Sequence, residues 1–460
     1  MKAIQFRPFG AMDKFGYLLG DFGNDFTFIL STSILMKFYT DVVGVSAAVI
    51  GAIMMIARFV DAFTDVGMGR LCDRSRITPA GKFRPWILRM CVPVAVASFL
   101  MYPSWLSGMS QGMKIAYLFV TYILWGSVCY TAVNIPYGSM ASAISARPED
   151  RQSLSTFRTM GGVLAGAVIG VALPLLAYAK VEGKETLVGS RVTVIAGIFS
   201  LLAIGCYLLC YRLTTERVRP EPAQPTVKTS TGKMLRQALK NRALISIIAA
   251  SVVMLLAQLT MQGMAGYIYP EYYNSAAAQS ASTLVMVVAM LLAAAVAKPL
   301  AVRFGKAEIA VVANLGAAAV CVATYFIRPD HVWVFVGLQG LCWFALGMFS
   351  MVSWALITDV IDDAQVKNGV REDGSVYALY SFARKLGQAA AAGLSGALLG
   401  LIGYGEQTKT DPAVLSGVFD IATLVPAVGF AALGLILWLW YPLHKKQVLA
   451  NVAALEKRDG

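Results

Sequence analysis

Residues 47–86 read AAVIGAIMMIARFVDAFTDVGMGRLCDRSRITPAGKFRPW. The apolar run over about 45–68 is long enough to cross a bilayer, which takes about 20 apolar residues in a helix. Inside it stand Arg58, Asp61 and Asp65. Spacings of three and four put all three on one helical stripe. The run ends in a short basic, glycine-containing loop with Arg70, Arg74, Arg76, Lys82 and Arg84. An ionised side chain at bilayer centre costs about 2.5–3.5 kcal/mol even on the gentlest scale. The stripe must therefore face a polar cavity, pair internally, or bind a cation.

Working outward, similar apolar segments fall at roughly 14–38, 86–104, 114–140, 156–178 and 192–211. Six more follow at 242–268, 279–298, 307–326, 332–358, 376–403 and 415–441. With 45–68 this makes twelve, and the expected fold is an all-α integral membrane protein of twelve transmembrane helices. Between the two sets of six lies RLTTERVRPEPAQPTVKTSTGKMLRQALKN (212–241), rich in Pro, Thr and charge. The expected organisation is a six-helix bundle over 1–212, a linker over 213–240, a second bundle over 241–442 and a tail over 443–460. The halves look related. LSTFRTMGGVLAG (154–166) resembles YSFARKLGQAAAAG (380–393), and the loop after helix 2 resembles KPLAVRFGK (298–306). Parallel six-helix repeats point to a large secondary-transporter fold with its substrate between the halves.

Composition agrees. The chain is 57% hydrophobic and only 14% charged, where soluble domains carry about 25% charge; its mean hydropathy is +0.64. The net charge of +13 reads as positive loops on the cytoplasmic side rather than as a nucleic-acid surface. Of the 39 Lys and Arg residues, 31 fall in the even loops and both termini taken together, 7 in the odd loops, and Arg58 lies inside helix 2. Both termini are therefore expected in the cytoplasm of a multi-pass protein of the bacterial inner (plasma) membrane. Seven scattered cysteines, no CxxC and two histidines suggest neither a disulfide framework nor a zinc site.

Other charges sit where lipid would not tolerate them. Asp21 and Asp25 are one turn apart on helix 1, sharing a face with Tyr17. Asp25 lies about 16 Å along a helix begun near Lys14, at 1.5 Å per residue. Helix 5 opens with Arg158, helix 11 carries Arg384 and Lys385, and helix 4 holds Asn134 before Pro136. Asp61 and Asp65 can share one proton, because both do not ionise cheaply. Alternatively they can offer oxygens to sodium with the hydroxyls of Thr64 and Thr131. Either choice gives reversible, side-chain-linked cation binding, and no other metal site is expected. Sugar recognition needs hydrogen-bonding groups and aromatic faces in an apolar wall. The candidates are Asp25, Tyr17, Tyr130, Asn134, Arg158, Lys385, Gln388 and Trp354. Asp21, Arg58 and Arg384 are expected to form a supporting charge network.

These motifs together resemble the glycoside–pentoside–hexuronide:cation symporters of the major facilitator superfamily. The resemblance runs through GDFGNDFTF (20–28), FYTDVVGVS (38–46), the 58–86 stretch, YTAVNIPYGSMASAI (130–144) and YSFARKLGQA (380–389). It implies the major facilitator fold. It also implies cation binding at Asp61 and Asp65 with Thr131, sugar contact at Asp25 and Arg158, and a position for Lys385 close to both. The chain departs from the melibiose-permease pattern, which has an acid at Asn134, a tryptophan at Gly138 and an asparagine at Thr64. Asn134, Pro136, Tyr137, Gly138 and Ser139 look instead like the glucuronide-carrier branch, as do Gly369, Val370, Arg371 and the Arg384–Lys385 pair. With one cavity acid fewer, an anionic sugar is repelled less and can meet Arg158 and Lys385.

The expected function is secondary active symport of a glycoside or hexuronide, such as a β-glucuronide, with a proton, by alternating access. Sodium-coupled glycoside or pentoside symport is the alternative. A non-transporting membrane sugar sensor is disfavoured, since no signalling domain is appended. An enzyme is not expected: no Ser/His/Asp or HExxH arrangement is present, and the Asp61–Asp65 pair sits on one helix where an aspartyl dyad draws on two. No cofactor is expected beyond the coupling ion, H+ or Na+. The expected partners are the sugar, the ion and the lipid bilayer, with no nucleic acid, and the chain is expected to be a monomer.

Overall fold

The computed structural model describes residues 7–218, 241–368 and 373–459. All twelve apolar segments are helices: α1 (Ala11–Phe38), α2 (Ala47–Arg74), α3 (Arg84–Leu100), α4 (Gln111–Ile144), α5 (Pro148–Ala177) and α6 (Gly189–Leu213), then α7 (Arg242–Tyr267), α8 (Ala276–Phe304), α9 (Lys306–Ile327), α10 (Val332–Asn368), α11 (Asp373–Leu401) and α12 (Pro412–Leu435). Among the described residues ten of these are long and apolar enough to cross a membrane. The two outside that count are α3, with 17 residues, and α11, which carries Arg384 and Lys385 in a stretch rich in small residues. Short π-helical turns extend α1, α7 and α12, and one interrupts α4 at Leu124–Tyr130.

The chain divides into two compact units. The first holds the chain to Thr226 together with Leu399–Lys409; the second holds Val227–Leu398 and Thr410–Gly460. In the first, α1 packs on α5 and α6, α3 on α6, and α2 on α4. In the second, α7 packs on α12, α9 on α12, and α8 on α10. Three of these pairings, α1 with α6, α3 with α6 and α2 with α4, thus recur six helices later, as the sequence likeness of the halves anticipates. Leu201, Val312 and Val428 stand 70%, 73% and 68% exposed on α6, α9 and α12. Water would penalise such faces, and lipid tails do not.

Several local features depart from the sequence reading. The connection from α5 to α6 is a hairpin, β1 (Tyr178–Val181) with β2 (Lys184–Leu187). Its Glu182–Gly183 loop has φ of 51° and 81°, the paired positive angles of a two-residue turn matched to strand twist. The linker expected from residue 213 does not start there. Thr214–Val218 is bound to the first unit: the amides of Arg217 and Val218 donate to the Ala143 carbonyl at 2.8 and 2.9 Å. The Arg217 guanidinium pairs with buried Asp13 at 2.9 Å. The Glu216 carboxylate accepts the backbone N–H groups of Lys82, Phe83 and Arg84 at 2.7, 2.9 and 2.7 Å. These are unpaired donors at the start of α3, where an anion also meets the positive end of the helix dipole. Gly81 (φ 113°) lets the turn lie against that carboxylate, since a Cβ there would come 2.5 Å from the Glu216 Cδ. The remaining linker, 219–240, lies outside the described residues. The tail is likewise a helix, α13 (Lys445–Asp459), tied to α10 where Asn451 donates to Asp363 at 3.1 Å.

The segment Leu399–Lys409, placed by sequence in the second bundle, groups with the first unit. Its anchor is Tyr404. Lys37 and Asp41 at the end of α1 form an ion pair at 2.9 Å with both side chains 2% exposed. The Lys37 ammonium donates to the Tyr404 hydroxyl at 3.1 Å, and that hydroxyl donates to Asp41 at 2.9 Å. Lys409 adds a second cation 3.7 Å from the same carboxylate. A buried ion pair is tolerable only when further hydrogen bonds satisfy it; Tyr404 and Thr40, which donates to Asp41 at 2.8 Å, do so.

Candidate functional site

The acids of α2 meet hydroxyls of α4. Ser127 donates to Asp61 Oδ1 at 2.5 Å, and Thr131 donates to Asp65 Oδ1 at 2.9 Å. The other Asp61 oxygen, Oδ2, lies 3.4 Å from an Arg58 terminal nitrogen. Charge-assisted hydrogen bonds of this kind are the strong ones, and they offset part of the cost of holding carboxylates away from water. Arg58 is itself held. Its guanidinium lies 5.0 Å over the Phe28 ring, Phe28 stacks on Tyr130 at 5.6 Å, and Tyr130 touches Trp125 at 5.6 Å. Thr64, expected as a cation ligand, turns its hydroxyl to the Asp61 carbonyl at 3.1 Å on its own helix.

A second cluster joins α1, α4 and α5. Arg158 Nε donates to Asp21 Oδ1 at 3.0 Å. The Arg158 guanidinium also lies 5.2 Å over the Tyr137 ring. Tyr137 stacks on Tyr17 at 4.6 Å. The two rings are locked by reciprocal bonds: Tyr137 OH donates to the Tyr17 carbonyl at 2.6 Å, and Tyr17 OH donates to the Tyr137 carbonyl at 3.3 Å. Two glycines allow α5 this close to α1. A Cβ on Gly161 would come 2.5 Å from the Leu18 carbonyl oxygen, and one on Gly162 would come 2.8 Å from Asp25 Oδ2 and 3.2 Å from Asp21 Oδ2. Small residues at a helix crossing let backbones approach where no water drives association; here they also leave room for two carboxylates. Among the described residues Asp25 has neither a hydrogen bond nor an ion pair within the protein, and Arg158 donates through Nε to Asp21 with the Tyr17 hydroxyl also close to its guanidinium. Both therefore keep polar atoms for a ligand. Asn134 sits half-buried on α4, one turn after Tyr130.

The candidates of α10 and α11 belong to the second unit. Trp354, 48% exposed, stands edge-on to buried Tyr380 at 5.1 Å. Arg384 lies 5.8 Å over the same ring, and the Tyr380 hydroxyl accepts from Ser251 at 2.8 Å. Lys385 and Gln388 are half-buried on α11. Gly369, Val370 and Arg371 lie outside the described residues. The expected site thus divides into Tyr17, Asp21, Asp25, Arg58, Asp61, Thr64, Asp65, Tyr130, Thr131, Asn134 and Arg158 in the first unit, and Trp354, Arg384, Lys385 and Gln388 in the second.

Residues 16–445 match the family described as MFS/sugar transport protein. The chain belongs to that family. Similar relatives include an uncharacterized symporter of Bacillus subtilis, 31% identical, with 97% of this chain and 95% of the relative covered. A glucuronide carrier protein homolog of Escherichia coli is 30% identical over 96% and 95% of the two chains. Among solved structures a D-xylose–proton symporter superposes with a TM-score of 0.60 at 14% identity, covering 94% of this chain and 97% of the other, which speaks to the fold alone. The resemblance to the sugar–cation symporters therefore holds. The fold is that of the major facilitator superfamily, and the protein is a multi-pass membrane transporter of this sugar-transport family, not an enzyme.

Sequence reasoning missed Ser127, Tyr137 as the platform under Arg158, and the Gly161–Gly162 contact. A signal for Ser127 was present: Ser127 and Thr131 are four residues apart, as are Asp61 and Asp65. A matched i, i+4 pair of hydroxyls on a helix next to paired acids is what a two-point contact between parallel helices requires. The Gly–Gly dipeptide was legible as a close contact, but its partner was not.

Proposed function

We propose that this transporter carries an anionic glycoside, a hexuronide such as a β-glucuronide, into the cell together with a proton by alternating access. The observation that carries the coupling is the pairing of Asp61 with Ser127 and Asp65 with Thr131, on the same α4 helix that holds Tyr130, Asn134 and Tyr137 at the sugar-facing cluster. A carboxylate that accepts from a hydroxyl can, once protonated, donate back to it. Proton uptake and release then need only a hydroxyl rotation and a small side-chain movement.

For the sugar, Asp25 offers acceptor oxygens to hydroxyls, and Asn134 offers both a donor and an acceptor. The stacked Tyr17–Tyr137 pair supports Arg158 from beneath. The terminal nitrogens of Arg158 are available as a planar fork for a sugar carboxylate. The protein would sit in the bacterial inner membrane as a monomer with both termini cytoplasmic, as the Lys and Arg asymmetry implies.

The test is uptake of labelled methyl β-glucuronide into energised membrane vesicles. An imposed inward proton gradient should drive accumulation, and a sodium gradient at fixed pH should not. Asp65→Asn should abolish accumulation while the purified protein still runs as a single folded species. Full uphill uptake by Asp65→Asn would sink the coupling assignment, and sodium-driven uptake would reverse the choice of ion.

A further inference from the structure

Asp61 and Asp65 are separated by four residues on α2, and so are Ser127 and Thr131 on α4. Each acid bonds the hydroxyl 66 positions further along the chain. Two contacts with the same offset mean that α2 and α4 run in the same direction, with no slip between the rungs. Four residues of helix rise about 6 Å, so the rungs stand one turn apart. Ser127 lies within the π-helical turn Leu124–Tyr130, a local widening of the kind often found at functional sites. Thr131 follows directly, and its hydroxyl also lies 3.2 Å from the Gly126 carbonyl, five residues back. The π turn therefore sets the phase that brings both hydroxyls to α2.

The rungs differ in what else holds the acid. Asp61 is engaged on both oxygens, by Ser127 at 2.5 Å and by Arg58 at 3.4 Å. Ser127 is 2% exposed and Thr131 4%, so water does not readily replace either donor. We infer that Ser127 is a positioning residue of the coupling site, whose hydroxyl holds Asp61 in the ladder and thereby links the charge state of the α2 acids to the position of α4. The inference rests on the cation-coupled reading above and extends it to a residue that acts through Asp61 rather than touching sugar. Ser127 has one hydroxyl proton. While Asp61 is charged, that proton points at Oδ1; a proton taken up on Oδ1, the oxygen that does not face Arg58, turns the hydroxyl from donor to acceptor. The Ser127 hydroxyl therefore reports on α4, the helix of Tyr130, Asn134 and Tyr137, what happens to charge on α2.

The test compares Ser127→Ala, Ser127→Thr and Asp65→Asn in energised vesicles. The substrate is whichever labelled methyl glycoside, the β-glucuronide, the β-xyloside or the β-galactoside, the unaltered protein accumulates. For each variant the steady-state accumulation is divided by its own counterflow rate, which corrects for the amount of working protein. Ser127→Ala should lower this ratio about tenfold, the scale of one hydrogen bond to a charged group. Ser127→Thr keeps the hydroxyl and should hold the ratio within about twofold of the unaltered protein, by the same reasoning. An unchanged ratio in Ser127→Ala overturns the inference. So does a ratio in Ser127→Thr as low as in Ser127→Ala, or a Ser127→Ala protein whose accumulation and counterflow fall together, which marks a packing role only. Asp65→Asn separates the two levels. If it retains uphill uptake, the cation-coupled reading fails; if it loses uptake while Ser127→Ala keeps its ratio, only the role of Ser127 fails.

Discussion

Asp41→Asn tests the buried ion pair at the end of α1. The substitution keeps the side-chain volume and one acceptor oxygen but removes the charge. Lys37, 2% exposed and 2.9 Å from Asp41, then faces an amide. Two unit charges at 2.9 Å attract by about 6 kcal/mol at an effective dielectric of about 20. Removing one partner of a buried pair costs about 3–5 kcal/mol, because the other charge is left uncompensated. Lys409, 3.7 Å away and 20% exposed, loses its anion as well but can turn to water. In a unit of this size 1 kcal/mol moves a melting temperature by about 2–4 °C, so Asp41→Asn should melt about 10 °C lower. The assay is thermal unfolding in detergent followed by a thiol-reactive dye. Cys72, Cys91, Cys129 and Cys210 are buried in the first unit and would report its opening. Adding Lys37→Met to Asp41→Asn removes the stranded ammonium and should recover more than half of the loss. A melting temperature within 2 °C (about 1 kcal/mol) of the unaltered protein for Asp41→Asn would refute the reasoning. Purely additive losses in the double variant would also refute it, since coupling between contacting charges is what the argument requires.

Two further outcomes follow from particular contacts. Gly161→Ala places a methyl group 2.5 Å from the Leu18 carbonyl oxygen, which only movement of α5 from α1 relieves. It should cost about 1–3 kcal/mol and weaken sugar binding through the displaced Arg158. Gly67→Ala, with open space around it, should do neither, as melting and ligand-protection curves can check. Glu216→Ala orphans three amides at the start of α3 and should destabilise by about 2–4 kcal/mol. Hydrogen exchange at Lys82, Phe83 and Arg84 should quicken more than elsewhere in the first unit; uniform quickening would mean the contact is not local.

Much of the architecture was legible because lipid imposes a simple rule. A spanning segment must satisfy its backbone internally and be apolar for about 20 residues. Helix order, the repeat of the halves and the intolerable charges of α1, α2, α5 and α11 follow from that rule, and the 58–86 stretch marks the family together with the motifs of helices 1, 4 and 11. Periodicity also put Arg58, Asp61 and Asp65 on one stripe, because a stripe belongs to a single helix.

What faces that stripe belongs to a second helix, and there the sequence offered only the spacing of hydroxyls, not which of them turn toward the acids. Whether α4 presents Ser127 and Thr131 to Asp61 and Asp65 depends on its rotation, and the π turn at Leu124–Tyr130 alters the count of residues per turn. The pairing of Arg158 with Asp21, the seat of Tyr137 beneath it, and the Gly161–Gly162 approach depend likewise on how near α5 comes to α1. Polar ends deceived for another reason. Thr214–Val218 and Leu399–Lys409 have the composition of loose connections, but Glu216 and Tyr404 find unpaired backbone amides and a buried ion pair to satisfy. Composition sets what solvent a segment prefers; only the folded neighbours decide which of its polar groups are needed elsewhere.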